Sequence, residues 1–113
     1  MGNNYHPNRW ILIKIKGDDP HYKVFGCWSG GYLDGDSWRM NSGITEVHET
    51  DTSYNFVGSS GSTYLCNKES YGLTSYGAQV VAQYEEKLKG KFVPLRMEPD
   101  VMLLDYLKEK DDG

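Results

Sequence analysis

Clusters of turn-forming residues cut the first two-thirds of the chain into short segments in which apolar and polar residues alternate. The clearest segment is Arg9–Lys16, where isoleucine recurs at every second position. A period of two with β-branched residues is typical of a β-strand with one buried face. A turn cluster at 17–20 separates this segment from a second alternating one, His21–Trp28. We therefore predict that the two segments pair as an antiparallel hairpin.

Three later segments have the alternation and the turn boundaries of strands: Gly43–Glu49, Ser53–Gly58 and Ser62–Asn67. They are followed by a segment in which apolar residues recur at every fourth position, which is typical of an amphipathic helix. We predict that Ser75 caps this helix and that Gly90 ends it. The apolar stripe consists of Tyr76, Val80, Tyr84 and Leu88, widened by Val81.

The order of these segments predicts an α+β fold, with one antiparallel sheet of about five strands and one main amphipathic helix packed on it. We expect this single domain to span residues 1–98. A last extended segment, Phe92–Met97, leads to residues 99–113. There, Pro99 at a first helical position predicts a short C-terminal helical tail over Asp100–Lys110.

Composition narrows the class of protein. Of the 113 residues, 13% are aromatic, which is too many for a disordered chain. The net charge is −4 and there is no stripe of Lys or Arg, so we expect no direct contact with nucleic acid. No apolar run exceeds four residues, so we expect no membrane segment and no secretory signal, and hence a cytoplasmic location.

The residue types most often used in catalysis and metal binding are scattered along the chain. His6, His21 and His48 have no second ligand at metal-binding spacing. Cys27 and Cys66 lie within two different predicted strands, where reduced, buried thiols are expected. We therefore predict no metal, no cofactor and no enzymatic activity.

The segment Ser29–Ser42 is the least regular part of the chain, and its three glycines predict a long loop. Loops of this length often carry function. Its side chains Tyr32, Trp38 and Arg39 are of the types that dominate protein-binding hot spots. In the alternative interpretation, Trp38 belongs to the core and Arg39 is solvated.

The C-terminal tail is a second candidate contact surface. Its segment Val101–Leu107 has more apolar residues than one short helix can easily hide. The candidate contact residues are Met102, Leu103 and Tyr106. In the alternative interpretation, the tail folds back onto its own sheet.

A second functional hypothesis starts from Gly58–Ser62, a run of small residues between two predicted strands. Backbone N–H groups in such a run can form a nest that binds phosphate. In this hypothesis the protein sequesters a phosphate-bearing nucleotide signal, whereas a hairpin turn without a ligand is the simpler interpretation. The candidate ligand-binding residues are Ser59, Ser60, Gly61 and Ser62, with Trp38 to stack on a base and Arg39 as the charge partner.

Three stretches, Phe25–Leu33, Gly35–Ile44 and Gly58–Tyr64, give the chain from Trp10 to Tyr76 a resemblance to small uncharacterised proteins of phages and prophages. The resemblance implies a short protein of the host-cell cytoplasm that acts by binding, including inhibitors of bacterial immune systems such as CRISPR effectors or nucleotide signalling. The leading hypothesis is therefore a non-enzymatic protein-binding module, an anti-CRISPR-like inhibitor of a host defence complex. We expect a host protein or protein complex as the partner, with a homodimer as the alternative.

Overall fold

The computed structural model describes residues 3–31 and 35–97. The strands in this part of the chain form two four-stranded sheets. The elements are β1 Asn4–Tyr5, β2 Arg9–Ile15, β3 His21–Gly31, β4 Gly35–Met40, β5 Ile44–Glu49, β6 Ser53–Gly58, β7 Thr63–Asn67, α1 Ser75–Lys87 and β8 Phe92–Leu95. We call the sheet with strand order β1-β7-β6-β5 the outer sheet and the sheet with strand order β4-β3-β2-β8 the central sheet.

The predicted α+β class with antiparallel pairing is confirmed, whereas the single sheet of about five strands is wrong. The paired strands of the described residues run antiparallel, except for the short parallel contact between β1 and β7. The two sheets pack face to face, and α1 covers the other face of the central sheet. The described residues thus form three layers: outer sheet, central sheet and helix.

The reason for the second sheet lies in β2, which is apolar on both faces. Trp10 and Leu12 point toward the outer sheet, and Ile11 and Ile13 point toward α1. Each of these four side chains is at most 1% exposed. A strand that is covered on both faces has a continuous apolar run rather than a clean alternation. The isoleucines at every second position of this strand therefore identify its buried face toward α1. They do not reveal the second buried face, toward the outer sheet.

Two hydrophobic cores hold the three layers together. The core between the sheets contains Trp10, Leu12, Val24, Ile44, Val47, Phe56, Tyr64 and Cys66. The core between the central sheet and α1 contains Ile11, Ile13, Phe25, Cys27, Val80, Val81 and Phe92. We call the core between the central sheet and α1 the second core. Burial of one large apolar side chain stabilises a fold by about 1.5–3 kcal/mol. The buried side chains of the second core therefore hold α1 on the central sheet.

Helix α1 is capped by Thr74 instead of the predicted Ser75. The Thr74 Oγ1 atom accepts a hydrogen bond from the Gly77 N–H at 3.0 Å, which satisfies one free donor of the first turn. The predicted apolar stripe is also shifted, because Tyr76 and Leu88 are 39% and 40% exposed. The helix residues buried against the sheet are Gly77, Val80 and Val81.

The predicted loop Ser29–Ser42 is corrected, because much of this segment is paired strand with a register shift between Trp28 and Gly31. Its first residues extend β3, and Gly35–Met40 form β4, which pairs with β3. In β4, the half-buried Trp38 and Met40 alternate with exposed neighbours. This period of two is short and lies beside glycines, which lack a side chain to contribute to a pattern, so the sequence alone does not reveal the strand.

The other predicted strands are confirmed to within a few residues as β2, β3, β5, β6, β7 and β8. The predicted tail helix over Asp100–Lys110, with Met102, Leu103 and Tyr106, lies outside the described residues, and so does Tyr32. In the described part of the chain, no helix is long and apolar enough to cross a membrane.

Candidate functional site

Trp38 is held at the edge of the second core by two aromatic neighbours. Its indole stacks on the Phe25 ring, with centroids 5.3 Å apart and planes 8° from parallel. The Tyr84 ring meets the indole edge-on from α1, with centroids 5.7 Å apart. Because the indole remains half-buried, it forms a rigid apolar wall at the surface.

A groove of about 380 Å³ opens beside Trp38, between β4 and α1; we call it the β4–α1 groove. Residues three or four positions apart lie on the same face of a helix. The helix residues of the lining, at positions 76, 80, 83, 84 and 87, therefore share one face of α1. Tyr76 is 39% exposed, so the groove is open to solvent. The lining consists of Trp38, Tyr76, Val80, Gln83, Tyr84 and Lys87.

The β4–α1 groove combines aromatic walls with a polar rim. Two tyrosines and Trp38 supply apolar area together with hydroxyl and indole polar groups. The rim residues Gln83 and Lys87 are exposed, and no carboxylate among the described lining residues neutralises the ammonium group. A cavity of a few hundred Å³ with these walls is of the size that binds a small ligand or the side chains of a partner.

Arg39, the other predicted hot-spot residue of β4, lies on the opposite face of the strand. Its guanidinium carbon is 4.6 Å from the centroid of the Tyr5 ring, a cation–π contact. The Tyr5 ring lies 5.1 Å from the ring of Tyr64, which is buried between the sheets. Burial raises the pKa of Tyr64 to about 12, and the Arg39 charge acts in the opposite direction. Arg39 therefore covers the inter-sheet core and does not join Trp38 in one site.

The predicted phosphate nest between β6 and β7 has its backbone donors already engaged. The N–H groups of Ser59, Ser60 and Gly61 all donate to acceptors within the protein, each at 2.9 Å. These acceptors are the Gly43 carbonyl, the Ser42 hydroxyl and the Gly58 carbonyl, respectively. The Ser62 carbonyl in turn accepts from the Gly58 N–H at 2.8 Å. This geometry favours a hairpin turn over a phosphate site.

A second cavity, of about 360 Å³, lies beside this turn and is lined by Asp19, His21, Ser42 and Ser59, among others. The Asp19 carboxylate would repel a phosphate at this position. Trp38 does not belong to the lining, and neither does Arg39. The structure thus does not bring together the residues that the nucleotide-binding alternative requires.

The two thiols are buried and contact backbone groups. The Cys27 Sγ atom donates to the Arg9 carbonyl at 3.5 Å and accepts from the Thr74 N–H at 3.4 Å. Cys66 is fully buried, and this burial raises the pKa of its thiol far above the usual range. A raised pKa disfavours the thiolate, which is the form that attacks a substrate.

Sequence patterns indicate one wall of the β4–α1 groove and not the other. The residue type of Trp38 predicts a contact role, whereas the helical spacing of Tyr76, Val80 and Tyr84 predicts a stripe that packs on the sheet. Neither Gln83 nor Lys87 belongs to a motif. The groove exists only because a non-local contact brings α1 over β4. The one sequence signal for the groove is that Gln83 and Lys87 lie beside the aromatic residues of the predicted helix.

Four of the predicted contact residues, Tyr32, Met102, Leu103 and Tyr106, lie outside residues 3–31 and 35–97. No protein-family model, curated protein or solved structure matches the chain.

Proposed function

We propose that this chain is a non-enzymatic protein-binding module and that the β4–α1 groove is its contact surface. The observation that carries the proposal is an open groove walled by Trp38, Tyr76 and Tyr84, with Lys87 in its lining. Tryptophan and tyrosine are over-represented among the residues that dominate binding energy in protein interfaces.

Two of the three aromatic walls of the groove, Trp38 and Tyr84, are held in place by the core beneath them. Trp38 stacks on Phe25, and Tyr84 stacks on Phe92 with centroids 5.3 Å apart. A side chain that is already fixed loses little conformational entropy when a partner binds, so more of the contact energy contributes to affinity. This pre-organisation supports a binding role for the surface.

The same lining supports binding rather than catalysis. Acid–base or covalent catalysis needs a titratable pair or an activated nucleophile within hydrogen-bond reach of the substrate. Among the described residues, the groove lining contains no His, Cys, Asp or Glu. Its titratable groups are two phenols and one ammonium group, which suit hydrogen bonding and charge pairing with a partner.

The proposed partner is a host protein or protein complex, and the resemblance to phage and prophage proteins supports a component of a bacterial defence system. The net charge of −4 disfavours nucleic acid and favours long-range approach to a basic surface. Lys87 acts at shorter range and favours an acidic residue at the groove itself.

Affinity capture from a bacterial lysate with matched variants tests the proposal. The groove variant is Tyr76→Ala with Lys87→Glu. The control variant is Leu88→Ala with Lys89→Glu, which changes an exposed apolar residue and an exposed lysine outside the groove lining. Both variants alter the net charge equally, and thermal unfolding verifies that both remain folded.

The expected result is that the wild type and the control variant recover the same partner while the groove variant loses it. If the folded groove variant recovers the partner as well as the wild type does, the groove is not the contact surface. If the wild type recovers no partner above background, the binding proposal itself fails.

A further inference from the structure

Within the part of the chain that the structure describes, strand β4 has one unpaired edge, and this edge runs along the β4–α1 groove. It is the first strand of the central sheet and pairs with β3 on one side. Among the described strands, none pairs with its other side. Such an edge presents N–H and C=O groups that an extended segment of another chain can use.

Two hydrogen bonds define which backbone groups of β4 face this open edge. The Asn41 N–H donates to a β3 carbonyl at 3.1 Å, and the Cys27 carbonyl accepts from the Asn8 N–H at 3.0 Å, toward β2. Bonded and non-bonded positions alternate in an antiparallel pair. Arg39, two residues before Asn41, is therefore bonded to β3. Trp38, which is opposite Cys27, directs its N–H and C=O away from β3.

A strand added along this edge would place every second side chain in the β4–α1 groove. Trp38 and Met40 both direct their backbone groups outward and their side chains toward the α1 side of the sheet. Side chains of an added strand alternate in the same way, so those on the α1 side would meet Tyr76 and Val80. Main-chain pairing and side-chain recognition would thus occur at one place.

Lys87 determines which charge on a bound partner is complementary to the groove. It is the one charged residue that residues 3–31 and 35–97 contribute to the lining, and it ends helix α1. Two copies of this chain each carry a net charge of −4 and therefore repel one another at long range. Charge complementarity therefore favours an acidic segment of a different protein over a second copy.

From these contacts we infer that the partner binds as an extended segment that adds a strand to β4. It places an apolar side chain in the groove, between Trp38 and Tyr76, and a carboxylate at Lys87. The inference rests on the proposed function and specifies the form of its partner. In this mode main-chain hydrogen bonds give affinity, and the alternate side chains give specificity.

A synthetic heptapeptide library tests this inference on the full chain. Threonine occupies alternate positions of each peptide, and the positions between them carry every amino acid. The expected selection is an apolar residue together with Asp or Glu. Lys87→Glu should weaken the acidic peptides by about three- to tenfold and shift the selection toward Lys or Arg. Lys89→Glu is the control with equal charge change and should select as the wild type does.

Amide hydrogen exchange locates the bound peptide. Protection should appear at the Trp38 and Met40 amides when the selected peptide binds, while Arg39 is protected with or without it. Protection confined to another strand would overturn the inference, as would an unchanged charge preference in Lys87→Glu. A concentration-dependent dimer that already protects the Trp38 amide without peptide would assign the edge to a second copy and also overturn it.

The failure of this inference can be distinguished from the failure of the proposed function. If lysate capture depends on the groove residues but no heptapeptide is selected, strand addition is overturned and the protein-binding role stands. If capture does not depend on the groove residues, the proposed function fails whatever the peptides do.

Discussion

The indole of Trp38 lies nearly parallel to the ring of Phe25, at a centroid distance of 5.3 Å. This contact links β4 to β3 on the side that α1 covers. The indole packs on the second core and also forms a wall of the β4–α1 groove. Trp38 therefore contributes both to stability and to the proposed contact surface, and experiments must separate these two contributions.

Trp38→Ala should lower the free energy of unfolding by about 2–3 kcal/mol, less than for a fully buried tryptophan because the indole is half-buried. Urea denaturation measures this loss. Arg39→Ala is the matched control on the opposite face of β4, and it should cost less than about 1 kcal/mol because it removes an exposed cation–π contact. Equal losses for the two variants would contradict the placement of Trp38 against the core.

Gly77→Ala should destabilise the protein although alanine favours a helix by about 1 kcal/mol over glycine. An added Cβ atom would lie 3.0 Å from the Cys27 Sγ atom, in a central strand that has little room to move. Cys27→Ala removes that sulfur, so the double variant should recover about 1–2 kcal/mol relative to the sum of the single effects. Stabilisation by Gly77→Ala alone would show that α1 is not packed this closely.

The local patterns of the chain predicted most of its strands and its helix, because alternation and turn residues act over a few positions. The number of sheets was not predictable in this way. The full burial of Trp10 and Leu12 depends on strands that come more than thirty residues later, and nothing in the Arg9–Lys16 alternation reports those strands. The helix cap was missed by one position because Thr74 and Ser75 are equally good caps by residue type.

The candidate site was predictable only in part. Trp38 was found from residue type, but its partner Tyr84 was assigned to the core, because an aromatic residue at helical spacing fits either role. A loop, which the glycines of this segment predict, would allow Arg39 and Trp38 to act in one site. In a strand, adjacent residues point to opposite faces, so the two residues separate as soon as β4 forms.

Stability above pH 10 should depend on Tyr64. Burial raises the pKa of this phenol from 10.0 in the unfolded chain to about 12 in the folded protein. Between these values the folded protein keeps a proton that the unfolded chain has lost, so stability decreases as the pH rises. The difference should reach up to about 2 kcal/mol relative to Tyr64→Phe, which cannot ionise. Parallel pH profiles for the two proteins would contradict the prediction.

Amide exchange in the free protein should alternate along β4. The Trp38 and Met40 amides face the open edge and should exchange rapidly, whereas the Arg39 amide is bonded to β3 and should be protected by about tenfold or more. Hydrogen exchange followed by NMR measures each position. Uniform protection along β4 would mean that its outer edge is already paired.

Site-specific photocrosslinking tests the central claim, that the β4–α1 groove contacts the partner, most directly. A benzophenone side chain at Tyr76 would replace an exposed aromatic residue of the groove, and the control at His48 lies on the outer sheet, where His48 pairs with Glu46. The account predicts that irradiation in a bacterial lysate joins the partner to position 76 and not to position 48. Equal crosslinking at both positions, or crosslinking at position 48 alone, would contradict it.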